Sequence, residues 1–230
     1  YNHGLMTHTP EYVFDENYML VLSHDEVVYG KGSMINKFVG NKMDKLGSLK
    51  TCYTMMIGHP GKKLLFMGQD FAQEREWNFK TSLDWHLCDD PAHREVLECW
   101  RALLHLYRER SVLHNDCGGP KTFEWINSGD YNRNIFTFIR RNPWNYNNAL
   151  IFVCNFAPVE RWEMGVGAPL AGIYKRIFTT YPDGSPLEIE AREELCDGRK
   201  YKLVFNLRAY ESVIFEVPYT EAVSYTHLTL

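Results

Sequence analysis

A polar tetrapeptide, Ser23-His24-Asp25-Glu26, stands directly after an apolar run at 18–22. Parallel α/β folds place their chemistry at the carboxyl ends of strands. A carboxylate there can stabilise a developing cation or accept a sugar hydroxyl, and a neighbouring His can donate to another hydroxyl. The competing role is local: a solvated strand end, with Ser23 or Asp25 as a helix N-cap. A second apolar run at 64–67 ends in Gly68-Gln69-Asp70 and repeats the arrangement, so two adjacent strand ends would face one mouth. Lys31, within Gly30-Lys31-Gly32, lacks the rest of a phosphate-loop pattern and reads as an exposed Lys on a flexible loop. Trp77 and Trp85 fit sugar-stacking platforms and simple packing of their loop equally well. A metal site on His24 and Asp25 is disfavoured, because no paired-His spacing accompanies them and His59, His86 and His93 are scattered.

These residues need elements to position them. The runs at 18–22 and 64–67 are short and continuously apolar, as strands buried on both faces are. Between them Met43, Leu46, Leu49, Tyr53, Met56 and Ile57 recur at helical spacing. Gly58 and Pro60 then supply a stop. A strand–helix–strand unit of this kind predicts a parallel pair joined by a right-handed crossover. A long loop follows at 71–90. Asp90-Pro91 opens a second helix as N-cap and first-turn Pro. Its apolar stripe is Val96, Leu97, Trp100, Leu103, Leu104 and Tyr107, and Arg108 and Arg110 lie near its C-terminus. Past Cys117-Gly118-Gly119-Pro120 the character changes to short β-like segments at 122–126, 134–141, 149–156, 172–178, 200–207 and 211–217. Turn signals such as Asn142-Pro143 and Asp183-Gly184 separate them, as in an all-β sandwich.

Composition bounds the function classes. The chain has 230 residues, too few for a whole barrel of roughly 250 residues plus a second domain. With 45% hydrophobic residues it can bury a sizeable core, and global disorder is excluded. Twenty-five basic against 29 acidic residues give a formal charge of −4, with no push toward nucleic acid or an anionic membrane. No apolar run approaches the roughly 18 residues of a membrane span, and no signal peptide stands at the start. Cys52, Cys88, Cys99, Cys117, Cys154 and Cys196 form no Cys-x-x-Cys pair; they read as reduced thiols of a cytoplasmic protein. Tyr1 in place of a Met suggests a start part-way along a larger protein, and 219–230 reads as a disordered or non-native tail.

Several stretches carry a resemblance. Leu22-Ser23-His24-Asp25-Glu26-Val27-Val28-Tyr29-Gly30-Lys31 resembles the fourth conserved region of bacterial 1,4-α-glucan (glycogen) branching enzymes, in the α-amylase superfamily. Pro60-Gly61-Lys62-Lys63-Leu64-Leu65-Phe66-Met67-Gly68-Gln69, Arg75-Glu76-Trp77-Asn78 and Ser82-Leu83-Asp84-Trp85-His86-Leu87 resemble the same enzymes, and Cys154-Asn155-Phe156-Ala157-Pro158 is similar to their Asn-Phe-Thr-Pro. Jointly these motifs single out branching enzymes over amylases generally.

The resemblance implies an α/β part at 1–115, the last two strands and helices of a catalytic (β/α)8 TIM barrel, with strands seven and eight at Met19–Leu22 and 64–67. An all-β antiparallel β-sandwich would follow at 116–218. It implies a reaction: α-1,4 glucan links are cut and the chain is passed to a 6-hydroxyl, forming α-1,6 branches by the retaining route. Asp25 would be the transition-state stabiliser and His24 its substrate-binding neighbour, with Glu26, Lys31, Gln69, Asp70 and Trp77 as further substrate contacts. An α-glucan is the implied partner, with no nucleic acid and no membrane; no cofactor is implied, and the whole protein is expected to be a monomer. The departures are large. The nucleophilic Asp and acid/base Glu of the family lie upstream of residue 1, so the chain alone is expected to be inactive. Asp70 stands where the family commonly has Glu, and a stretch common in the family's sandwich is missing around 183–193. Two other readings stay open: another glycosidase of the superfamily, such as a trehalose-releasing hydrolase, and a non-catalytic module binding glucan through Trp77, Trp85 or sandwich aromatics.

Overall fold

The computed structural model describes residues 3–8, 13–15, 18–116 and 119–219. Cys117, Gly118 and residues 220–230, most of the expected tail, lie outside the described residues. The N-terminal part holds a short helix α1 (His3–His8), strand β1 (Met19–Leu22), helix α2 (Lys42–Gly58), strand β2 (Lys62–Leu65) and helix α3 (Pro91–Glu109). Strands β1 and β2 pair in parallel, Met19 opposite Lys62 and Leu22 opposite Leu65, with α2 crossing between them. The predicted strand–helix–strand unit is therefore present.

Local chemistry sets the helix ends. Asn41 accepts from Asp44 N at 3.0 Å and Asp44 accepts from Asn41 N at 3.0 Å, a reciprocal capping box that starts α2. Asp90 accepts from Ala92 N at 2.9 Å and Pro91 takes the first helical position of α3. The buried stripe of α3 is His93, Val96, Trp100, Leu103 and Leu106; Leu104, expected in it, is exposed. At the end of α2, Gly58 is not in a left-handed cap. A Cβ there would lie 2.6 Å from two ring atoms of Phe138 and 2.8 Å from Phe152, so glycine permits close approach of helix and sheet. The carbonyl of Gly58 accepts from the fully buried Arg140 at 2.9 Å, whose other donors reach Thr122 O and Asp116. That guanidinium satisfies helix-terminal oxygens that would otherwise be orphaned.

The C-terminal part is antiparallel. Its strands are β3 (Phe123–Asn127), β4 (Ile135–Asn142), β5 (Asn145–Asn155), β6 (Arg161–Ala168), β7 (Ile173–Thr179), β8 (Glu188–Glu190), β9 (Arg192–Cys196), β10 (Arg199–Leu207) and β11 (Ser212–Glu216). A six-stranded sheet runs β3-β4-β5-β11-β7-β8 and a three-stranded sheet runs β6-β10-β9. The period of two decides the layering. From β5, Ile151 and Val153 enter the core between the sheets, while Leu150, Phe152 and Cys154 join Leu49, Tyr53, Ile57 and Leu103 in a core shared with the helices. The six-stranded sheet is thus the middle of three layers. Phe138 and Phe152 stack at 4.8 Å beneath α2, each fully buried and each contributing roughly 1.5–3 kcal/mol of burial. The change of architecture near residue 116 falls inside one continuous core.

Two expectations are corrected. Strand β1 is not buried on both faces: Met19 and Val21 are 51% and 46% exposed while Leu20 and Leu22 pack inward. One face of the pair is uncovered in this chain. Strands β6, β8 and β9, unforeseen, occupy the stretch between the predicted strands.

Candidate functional site

The 23–26 segment leaves β1 as a 3-10 turn, His24–Glu26. Ser23 is extended and its Oγ accepts from Asp25 N at 3.2 Å, so Ser23 takes the capping role. The Asp25 carboxylate is not spent on the cap and stands 69% exposed, with His24 Nε2 at 3.3 Å from its Oδ1. The two side chains form a solvent-facing pair at the carboxyl end of a parallel strand. Glu26, next in the turn, is half-buried.

The loop behind them is braced from the backbone. Lys31 Nζ donates to the carbonyl of Asp25 at 2.7 Å. Lys31 is exposed, as expected, and its head group ties the turn that presents Asp25. Glu76, not among the expected site residues, accepts from Gly30 N at 3.1 Å and Gly32 N at 2.7 Å. Those two amide bonds, Gly32's first, hold its carboxyl below the ordinary carboxylate range. Gly30 and Gly32 have φ of 80° and 71°, a backbone shape that suits glycine.

The end of β2 is shaped differently. Gly68 is left-handed at φ 77°, and a Cβ there would crowd the Gln73 side chain. Gln69 follows in a 3-10 turn, 3% exposed, with neither amide atom of its side chain hydrogen-bonded. A buried polar group without a partner costs roughly 1–3 kcal/mol, and this amide carries that cost. It lines a narrow pocket with Trp77, Met67, Gln73 and Arg75. Asp84 anchors the floor by accepting from Arg75 Nε at 2.8 Å. Asp70 turns elsewhere. Burial raises its carboxyl above the ordinary range, and its electrostatic neighbours are Arg101 of α3 and Tyr53 of α2. The structure brings His24 and Asp25 together, and Gln69 with Trp77; Asp70 is half-buried in the turn after Gln69.

An aromatic ladder connects the two strand ends. Phe66 lies 6.0 Å from His24 and 5.0 Å from Trp77, the latter edge-on. Trp77 is half-buried and packs against the helix-side core, and its backbone N–H donates to Val27 O at 3.1 Å. Trp85 is 59% exposed and leans on Phe71 at 5.3 Å. Among the described residues no group of three or more His, Cys, Asp or Glu side chains is placed to hold a metal ion, and no helix is long and apolar enough to cross a membrane.

Comparison with known proteins gives consistent results. Residues 125–218 match the family "Alpha amylase, C-terminal all-beta domain". The "1,4-alpha-glucan branching enzyme GlgB" of Butyrivibrio fibrisolvens is 43% identical over 223 residues, 93% of this chain and 34% of that protein. The protein of the same name from Roseobacter denitrificans is 45% identical over 94% of this chain and 30% of its own length. The chain thus spans about a third of the curated relatives it matches. A crystal structure of alpha-amylase from H.orenii superposes with a TM-score of 0.54 at 16% identity, over 87% of this chain and 39% of that one; that likeness concerns the fold alone. Over nine-tenths of its length the chain is similar to 1,4-alpha-glucan branching enzymes, and residues 125–218 carry the C-terminal all-beta domain of the alpha-amylase family.

Proposed function

We propose that the chain is the C-terminal part of a glycogen branching enzyme. In this reading β1 and β2 are the seventh and eighth strands of a (β/α)8 barrel, and Asp25 is one of three carboxylates around the scissile bond. The observation that carries it is the Asp25 carboxylate, uncommitted to its own turn, presented beside His24 at a parallel strand's carboxyl end.

The retaining route assigns the steps. A nucleophilic Asp contributed upstream attacks the anomeric carbon as the C1–O4 bond breaks, while an upstream Glu protonates the departing oxygen. Asp25 holds the hydroxyls of the distorted sugar and stabilises its oxocarbenium-like charge, and His24 donates to a neighbouring hydroxyl. Gln69 meets the sugar only if the narrow pocket it lines beside Trp77 opens, with Glu26 at the rim. Lys31 acts through the turn that presents Asp25. The acceptor 6-hydroxyl then attacks the glycosyl-enzyme and displaces the carboxylate. The covalent intermediate conserves the bond energy, so glucan is the sole partner the chemistry needs. The reduced thiols Cys52, Cys88, Cys99, Cys154 and Cys196 support a cytoplasmic setting.

The test is product analysis by proton NMR on amylose. The whole enzyme is expected to create α-1,6 signals without releasing free sugar, and the isolated chain to create none. Released sugar in place of branches would replace this reading with that of a hydrolase. Branching by the isolated chain would overturn the assignment of two catalytic groups to the upstream part.

A further inference from the structure

The segment at 74–77, beyond the end of β2, is tied to the loop at 27–36, beyond the end of β1. Trp77 N donates to Val27 O at 3.1 Å. Ser33 Oγ and Asn36 Nδ2 donate to Glu74 O at 2.8 and 2.9 Å. Between these ties to backbone oxygens stands one side chain, Glu76, whose two carboxylate oxygens accept separately from Gly30 N and Gly32 N. The shape of the loop calls for such an anion. Tyr29, Gly30 and Gly32 have φ of 58°, 80° and 71°, and left-handed residues within a turn gather amide N–H groups into an anion-binding concavity. Here the anion is the protein's own carboxylate. For tyrosine the left-handed shape is strained, and such residues persist where their surroundings over-determine them. Tyr29 is 93% exposed, so packing of its ring does not hold the shape, whereas the carboxylate on the two following glycine amides does.

Lys31 is the residue between the two bound amides. Its Nζ donates to Asp25 O at 2.7 Å, and its own carbonyl accepts from Lys37 Nζ at 3.2 Å. A chain of contacts therefore leads from Glu76, through the loop at 30–32 and the Lys31 side chain, to the backbone of Asp25. Glu76 is not placed for proton transfer of its own. Both its oxygens are occupied, and the two amides keep the carboxyl ionised below the ordinary carboxylate range.

We propose that Glu76 is a positioning residue for the reaction: by clamping the loop at 30–32 it sets, through Lys31, where the Asp25 carboxylate stands at the strand end. This rests on the branching reading of Asp25. The demand on position is steep, since a misplacement of about 1 Å at a reacting group can cost about 10²-fold in rate. Gln is the informative replacement. It keeps the length and one carbonyl oxygen of Glu76 but sets an NH₂ donor against the second glycine N–H.

The whole enzyme carrying Glu76→Gln is assayed for α-1,6 bond formation on amylose, with and without Asp25→Asn. Glu76→Gln alone is expected to lower kcat by about tenfold or more, with KM held within about twofold and melting unchanged. In the Asp25→Asn enzyme the same change is expected to cost less than about twofold, because a residue that acts through Asp25 has nothing left to position. Lys31→Met breaks the chain at its other end and is expected to give the same split between kcat and KM. Its side chain is exposed, so it carries the test should Glu76→Gln melt early. A loss from Glu76→Gln that repeats in full in the Asp25→Asn enzyme marks a merely structural role and overturns the proposal. A harmless Glu76→Gln beside a crippled Asp25→Asn overturns this proposal alone, whereas an Asp25→Asn enzyme that branches normally overturns the branching reading as well.

Discussion

At the residue scale, the chemistry depends on which side chain does the capping. Ser23 takes the turn's N–H, and Asp25 and His24 are left facing solvent. Buried titratable groups tell a different story at His59. Its ring packs among Phe123, Trp125 and Phe138, and burial pushes its pKa from 6.5 down to about 4. The unfolded chain takes up a proton near 6.5 and the folded chain only near 4. Stability is therefore full above pH 6.5 and falls as pH drops toward 4, by about 3 kcal/mol over that window. His59→Phe is expected to flatten this slope in urea melts at pH 7, 5.5 and 4. The tetrapeptide and Gln69 were legible because they follow apolar runs directly. Glu76 was not, since its partners are backbone amides of a loop more than forty residues earlier in the chain. Backbone donors leave no mark in side-chain spacing.

At the element scale, α2 packs against β5 and β11 and joins the two parts in one core. Its capping box, its periodic apolar residues and the Asp90-Pro91 start of α3 were readable from local pattern. The role of Gly58 was not, because its reason is the distant Phe138–Phe152 stack. Gly58→Ala tests the difference. Helix propensity alone would favour Ala by roughly 0.5–1 kcal/mol. Overpacking a stack of fully buried rings costs about 1–3 kcal/mol, and it wins. A net loss of stability in chemical denaturation is expected; a gain would mean that the glycine serves only as a helix stop. Strands β8 and β9 escaped sequence reading for a plain reason. Glu188–Glu190 is three residues long, and Arg192–Cys196 is exposed almost throughout, so neither shows a clear alternation. Strand β1 misled in the opposite sense, since an apolar run does not say whether both of its faces are covered.

At the scale of the whole molecule, the sandwich is self-contained between its two sheets while the β1–β2 pair shows one bare face. Met19 and Val21 on that face, on an open two-stranded edge, form the kind of surface that self-associates. The isolated chain is expected to scatter light as oligomers, and Met19→Lys with Val21→Lys to shift its mass toward a monomer. A sharp monomer peak for the unaltered chain would contradict that expectation. In the proposed function Asp25 works on a glucan held between strand ends of a larger barrel. The most direct measurement is the rate of α-1,6 bond formation by the whole enzyme carrying Asp25→Asn. Removing a charge worth several kcal/mol in the transition state predicts a loss of at least about 10³-fold, with melting unchanged because the side chain is exposed. A branching rate within a fewfold of the unaltered enzyme would remove Asp25 from the reaction.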